Sequence, residues 1–125
     1  LTDTKLVRDK TLYRIRALKS FDNIKEGDLG GYIEKEYNLS QDGNCWIYDG
    51  AIVMNGAMVL DNAKVSKSII TNGSVVKDNA VLEFCQVFDR TEIGGHVHLT
   101  NCTIFTSLIR GAGVMQKIVI RGKYI

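Results

Sequence analysis

The chain has 125 residues, of which 45% are hydrophobic, 24% charged and 8% aromatic, with a formal net charge of +2. This is one domain's length with the composition of an ordinary globular protein, which excludes a disordered or low-complexity chain. No run approaches the roughly 18 apolar residues of a spanning helix, and the opening stretch LTDTKLVRDKTLYRIRALKS holds no apolar core of signal-peptide length. The expectation is a cytoplasmic protein without membrane contact.

Residues 1–44 do not repeat. TLYRIRAL alternates as a strand does, with Tyr13, Ile15 and Ala17 on one side and Arg14 and Arg16 on the other. The following stretch, FDNIKEGDLGGYIEKEYNLSQDGNCWIYDG, reads as turn-rich strands with breaks at Gly27, Gly30 and Gly31. GDLGGY lacks the GxGxxG spacing and the following helix of a dinucleotide site, so its glycines read as turn residues.

From Asp49 the chain becomes self-similar in blocks of seventeen: DGAIVMNGAMVLDNAKV (49–65), SKSIITNGSVVKDNAVL (66–82) and EFCQVFDRTEIGGHVHL (83–99). The next block, TNCTIFTSLIRGAGV (100–114), is two residues short. Self-similarity at a fixed period outranks any local propensity. Within each block a small residue and an aliphatic one recur two apart, as in Ala51/Val53, Ala57/Val59 and Ala63/Val65, then Ser68/Ile70, Cys85/Val87, Cys102/Ile104, Ala112/Val114 and Ile118/Ile120. That separation places both on one face of a short strand. The Asn-Gly, Asp-Gly and Asp-Asn pairs between units suit tight corners that need positive φ. Three strands and three corners per block predict one coil of a triangular parallel β-solenoid.

These units resemble the hexapeptide rule [LIV]-[GAED]-x-x-[STAV]-x of left-handed β-helix proteins over about residues 45–120. The resemblance implies an all-β, short left-handed parallel β-helix spanning 45–125. A solenoid also needs its open first coil covered, because terminal coils expose apolar core and strand edges, so 1–44 is expected to be an N-terminal β cap. The stretch RIRALKSFDNIKEGDLGGYIEKEYNLSQDGNCWIYDGA is similar to the segment preceding the repeats in a phage- and prophage-encoded family, some members of which are described as transferases. That resemblance implies a bacterial-host cytoplasm.

Cys45, Cys85 and Cys102 form neither a CxxC nor an even set, and all three fall on small inward positions, so they are expected to be buried core thiols. His96 and His98, two apart in GGHVHL, leave the same outward face. Outward histidines hold zinc between subunits in γ-carbonic-anhydrase-like trimers and act as general bases beside coenzyme A in hexapeptide acyltransferases. Two histidines fall short of the three protein ligands of a catalytic zinc, so they are weak metal candidates and no metal or cofactor is expected. Glu83, Asp89 and Glu92 are read as solvated.

Ile52, Met54, Ile69, Phe88 and Phe105 line up on one outward side as an apolar stripe larger than a monomer normally exposes, which marks an interface unless Tyr13 and Ile15 fold over it. Residues 93–125 carry Arg110, Lys117, Arg121 and Lys123 and no acid, a minor candidate for anion binding. It lacks the dense charge and interleaved aromatics of a nucleic-acid surface.

The leading expectation is therefore a non-catalytic binding protein of phage or prophage type that presents a rigid surface to its own copies, a trimer by resemblance, or to a host protein. Family context adds counter-defence inhibition and sequestration of a small molecule as roles. The alternative is a trimeric hexapeptide-repeat enzyme, acyltransferase or zinc-dependent, with a site at a subunit groove near His96 and His98.

Overall fold

Small inward residues let the walls of a triangular coil close together, and the aliphatic two positions later fills the space between them. The computed structural model describes residues 4–7, 10–105, 108–109, 112–116 and 119–121, and it shows that arrangement. The N-terminal region holds β1 (Thr4–Val7), β2 (Lys10–Arg16), β3 (Leu29–Ile33), one 3₁₀ turn at Glu36–Asn38, and β4 (Trp46–Ile47). The first repeat supplies β5 (Ile52–Val53), β6 (Met58–Val59) and β7 (Lys64–Ser66). The second supplies β8 (Ile69–Ile70), β9 (Val75–Val76) and β10 (Val81–Glu83). The third supplies β11 (Gln86–Phe88), β12 (Glu92–Ile93) and β13 (His96–Thr100). Then come β14 (Thr103–Phe105), β15 (Leu108–Ile109), β16 (Ala112–Gln116) and β17 (Val119–Arg121).

The strands sort by side. The first sheet runs β1-β2-β3-β5-β8-β11-β14-β17, the second β6-β9-β12-β15 and the third β4-β7-β10-β13-β16. Every pairing from β3 onward is parallel. The protein is thus all-β, a parallel solenoid of about four turns, with register partners such as Val53, Ile70, Val87 and Ile104 spaced by 17 residues.

The predicted inward positions are the core. Val53, Val59, Val65, Ile70, Val76, Leu82, Val87, Ile93, Leu99, Ile104 and Ile109 are fully buried. Each such side chain contributes on the order of 1.5–3 kcal/mol by leaving water. Ser68, Ser74 and Thr91 occupy the same small slots and serve the backbone where the ladder breaks at corners. Ser68 Oγ donates to Ser66 O and accepts from Cys85 N, and Ser74 Oγ accepts from Thr91 N. All three cysteines are buried and unbridged, and Cys85 Sγ donates to the carbonyls of Glu83 and Leu99.

Corners carry left-handed backbone. One column is Asn55-Gly56, Asn72-Gly73 and Asp89-Arg90, a second runs through Asp61, Asp78 and Gly95, and a third is Gly50, Lys67, Phe84 and Asn101. The corner of the third column is one residue shorter than the others, with Ser66-Lys67 between Val65 and Ser68 where Leu60-Asp61-Asn62 stand between Val59 and Ala63, which is how the coil closes with seventeen residues rather than eighteen.

Four expectations need correction. In β2 it is Leu12, not Tyr13, that is buried with Ile15 and Ala17, because a bulge between Arg14 and Arg16 shifts the alternation; Tyr13 is 41% exposed. β2 extends the first sheet in its plane, so it does not fold over that sheet's outer face. Gly30 and Gly31 lie inside β3 and are needed for close approach rather than for a turn. A Cβ on Gly30 would fall inside 3.0 Å of Ile47 O, and one on Gly31 inside 3.0 Å of Ala51 O and Tyr48 O. Finally, β16 pairs His98 with Val114 and Leu99 with Met115. These partners are sixteen residues apart, so the last coil is one residue short, not two, and Val114 does not take the register position of Leu99.

Stacking also starts upstream of the repeats. Ile33 pairs with Val53, Leu39 bridges to Val59 and Ile47 pairs with Val65, so residues 33–47 already trace the three sides of a coil.

Candidate functional site

The outer face of the third sheet holds the chemistry. In β13, Val97 and Leu99 are inward, which turns His96, His98 and Thr100 out; in β10, inward Leu82 does the same for Val81 and Glu83. The register sets Val81 opposite His98 and Glu83 opposite Thr100. Glu83 is then the diagonal neighbour of His98, and its Oε1 lies 2.8 Å from His98 Nε2, with both side chains 44% exposed.

The next rungs down are Lys64 and Ser66 on β7, then Trp46 and Tyr48. Tyr48, Lys64, Ser66, Val81, Leu82 and Glu83 line a groove of about 300 Å³. Its lower end is held by the N-terminal loop. Lys64 Nζ donates to Asp22 Oδ2 at 2.9 Å and to Asn44 O, Tyr48 OH donates to Asn23 Oδ1 at 3.2 Å, and Phe21 packs edge-on against Trp46 at 5.7 Å. Burial, and then the Asp22 carboxylate, push the Tyr48 phenol above its ordinary range.

A carboxylate on Nε2 favours the tautomer with hydrogen on that nitrogen. Nδ1 is then the atom able to take a proton from an acceptor group. The pair has the composition of a general base with an orienting acid.

His96 goes elsewhere. It borders a larger groove of about 560 Å³ at the second corner, with Asp42, Asp61, Asn62, Asp78 and Asn79. The polar groups there are occupied in holding the corner: Asp61 Oδ2 accepts from Asp78 N, Asp78 Oδ2 from Gly95 N and Asn62 Oδ1 from Asn44 N. The two histidines share an outer face but not a site, and among the described residues no three His, Cys, Asp or Glu side chains converge as metal ligands.

Of the apolar stripe, Ile69 is 37% exposed, while Ile52, Phe88 and Phe105 are half-buried; the two phenyl rings stack at 5.1 Å. Met54 does not belong to it, being only 4% exposed. It ends its strand beside the chain around Glu34, whose amide donates to Val53 O and whose carboxylate accepts from Asn55 N. Arg110, Lys117 and Lys123 lie outside the described residues, and Arg121 is placed only by its backbone pairing with Phe105.

Glu83, expected from the sequence to be merely solvated, is the residue that contacts His98. Its signal was present, since Glu83 and His98 are fifteen apart in a chain that repeats every seventeen, which makes them diagonal neighbours.

Fold and site together define a hexapeptide-type β-solenoid with a histidine–carboxylate pair on one outer face. No family model matches the chain. A stretch of 56 residues is 41% identical to the Uncharacterized acetyltransferase YdcK of Escherichia coli (strain K12), covering 44% of this chain and 17% of that protein. The match therefore spans about one sixth of the relative's length. Among the described residues no helix is long and apolar enough to cross a membrane.

Proposed function

We propose that this chain is an acyl-transfer module of the hexapeptide-repeat type, acting on an acyl thioester at the outer face of the third sheet. The observation that carries the reading is the 2.8 Å contact between His98 Nε2 and Glu83 Oε1 beside the groove lined by Tyr48, Lys64 and Ser66. His98 Nδ1 accepts the proton of an acceptor hydroxyl as its oxygen bonds to the thioester carbonyl carbon. When the intermediate collapses, the carbon–sulfur bond breaks and the same proton passes to the departing thiolate. Glu83 is a positioning residue that holds the ring in place through its contact with Nε2. The 41% identity over 56 residues to a protein named as an acetyltransferase supports the same chemistry. The hexapeptide-repeat resemblance adds a homo-oligomer, trimeric in such proteins, with the groove next to a neighbouring copy; the need to cover an open first coil supports a cap within residues 1–44, of which 33–44 already stack on the first repeat.

The test is thiol release from acetyl coenzyme A across a panel of hydroxyl acceptors. The wild type is expected to turn over, with His98→Asn slower by roughly 10²–10⁴-fold and His96→Asn unchanged. Release at the uncatalysed rate by the wild type, or undiminished release by His98→Asn, overturns the reading.

A second reading is favoured by exposed Ile69 and the stacked Phe88 and Phe105. In it the first sheet's outer face binds copies of this chain or a host protein, the non-catalytic role of a phage- or prophage-type protein. Solution mass by light scattering on a Phe88→Glu/Phe105→Glu double variant tests it. Charge-driven dissociation of an oligomer supports self-association on that face, and an unchanged mass removes self-association and leaves a host protein as the occupant to be sought by pull-down.

A further inference from the structure

The third corner carries one residue that local chemistry does not ask for. Phe84 has φ +54°, a left-handed backbone shared at that column by Lys67 and Asn101, and its side chain is 52% exposed. Asn tolerates this conformation, whereas for a bulky residue it is a genuine outlier. Phe84 is the only aromatic among the described non-glycine residues with positive φ. It directly follows Glu83, which touches His98. Lys67, one coil below, places its ammonium 5.3 Å from the Phe84 ring centroid, and among the described residues no carboxylate pairs with it. Strain that persists beside a reactive pair is better explained by use than by packing.

We infer that Phe84 and Lys67 form the recognition lip of the site, and that the acceptor it selects is a hydroxyl compound with a flat aromatic body and an anionic group at its far end. The inference rests on the acyl-transfer reading only for the fate of the hydroxyl; the binding itself does not. Lys67, Phe84 and His98 follow three successive levels of the stack, since Lys64, Val81 and His98 are register partners. At one strand spacing per level, anion and hydroxyl sit about 10 Å apart along the axis with the ring between them. The ammonium takes the anion, the phenyl face takes the ring, and His98 meets the hydroxyl. A single exposed Phe on a surface is unremarkable. An exposed Phe held in a strained corner, with an ammonium against its ring that no described carboxylate neutralises, and next to the base's partner, specifies a ligand.

The probe is 4-(hydroxymethyl)benzoate, compared with benzyl alcohol, which lacks the anion, and 4-hydroxybutyrate, which lacks the ring. Binding is followed by amide shifts of residues 83–86 in ¹H–¹⁵N spectra. The expected result is saturable shifts with the first probe and at least tenfold weaker binding of the other two. Phe84→Asn is expected to lose at least tenfold in affinity with a melting temperature equal to or above wild type, because Asn101 fills the same corner one coil on. Lys67→Gln is expected to erase the preference for the benzoate over benzyl alcohol. His98→Asn is expected to keep binding, and a wild type that binds the probe without turning it over would refute the acyl-transfer reading and leave this one standing. Shifts absent at millimolar probe, affinity surviving Phe84→Asn, or a melting temperature lowered by that substitution would each overturn the inference. In turnover, Phe84→Asn is expected to raise the acceptor KM with the donor KM unchanged; a rise in the donor KM instead would contradict an acceptor role.

Discussion

Replacing Gly31 by alanine adds one methylene-sized atom at the point where β3 passes beneath the first coil. That Cβ would sit inside 3.0 Å of Ala51 O and Tyr48 O, and also 2.8 Å from Ile47 Cγ2. Two of these neighbours are backbone oxygens in a tight corner, so relief requires β3 to lift rather than a side chain to rotate. Overpacking of this kind costs about 1–3 kcal/mol, and the double backbone clash argues for the upper end. At about 4 °C per kcal/mol for a chain of this size, Tm should fall by roughly 12 °C. Gly30→Ala should behave alike, since its Cβ would meet Ile47 O and the side chains of Ile15 and Trp46. Gly27→Ala is the control: Gly27 has φ +92° with nothing within 4 Å of an added Cβ, so only the backbone term of about 1–2 kcal/mol applies. Thermal unfolding by circular dichroism gives all three numbers. Equal losses for the three, or under about 0.5 kcal/mol for Gly31→Ala, would refute the close packing of β3 under the solenoid.

The remaining predictions concern charge, thiols and catalysis. Glu34 is only 11% exposed; the Asn55 amide, with help from Lys10, holds its carboxyl below the ordinary value of 4.5. Its stabilisation is therefore present above that value and lost as pH falls through the lower folded one. Glu34→Gln should cost about 1.5–3 kcal/mol at pH 7 by urea unfolding and converge with wild type in strong acid, and a constant difference at both pH values would contradict this. Burial pushes the Cys85 thiol up to about 11, so the native protein should resist thiol reagents at pH 8 until it unfolds, and rapid native labelling of Cys85 would count against the buried column. Ile70→Ala should lose about 2–5 kcal/mol of stability by the same urea assay, because Ile70 is fully buried between Val53 and Val87; a smaller loss would mean that the coil collapses onto the space. Glu83→Gln should lower kcat for acetyl coenzyme A with little change in KM and alter the pH profile, whereas a KM effect alone would make Glu83 a binding group.

The solenoid was legible because its core is a one-dimensional pattern. A small residue and an aliphatic two apart, repeated every seventeen, already state which side chains face inward and which chains of positions stack. What failed were features set by contacts between distant segments. The bulge in β2 that exchanges Leu12 for Tyr13 depends on pairing with β3. The burial of Met54 depends on the Glu34 segment beside its corner, and the glycines of β3 are required by oxygens of the first coil. The last coil shifted because its shortened block could be closed in more than one register, and pairing with β13 sets Gly113 opposite Val97 and Met115 opposite Leu99. His98 was visible as an outward histidine. Its partner Glu83 carried a positional signal, fifteen residues away in a chain that repeats every seventeen, but no local motif marks a diagonal neighbour one coil down, and the left-handed backbone of Phe84 and the ammonium over its ring emerge only from the stacking on Lys67.

With only two histidines in the chain, their imidazole signals can be followed individually while acetyl coenzyme A is added. The account predicts saturable shifts of the His98 ring, abolished or displaced by Glu83→Gln, with the His96 ring unmoved. Shifts confined to His96, or no shift of either ring at saturating thioester, would contradict a working site on the outer face of the third sheet.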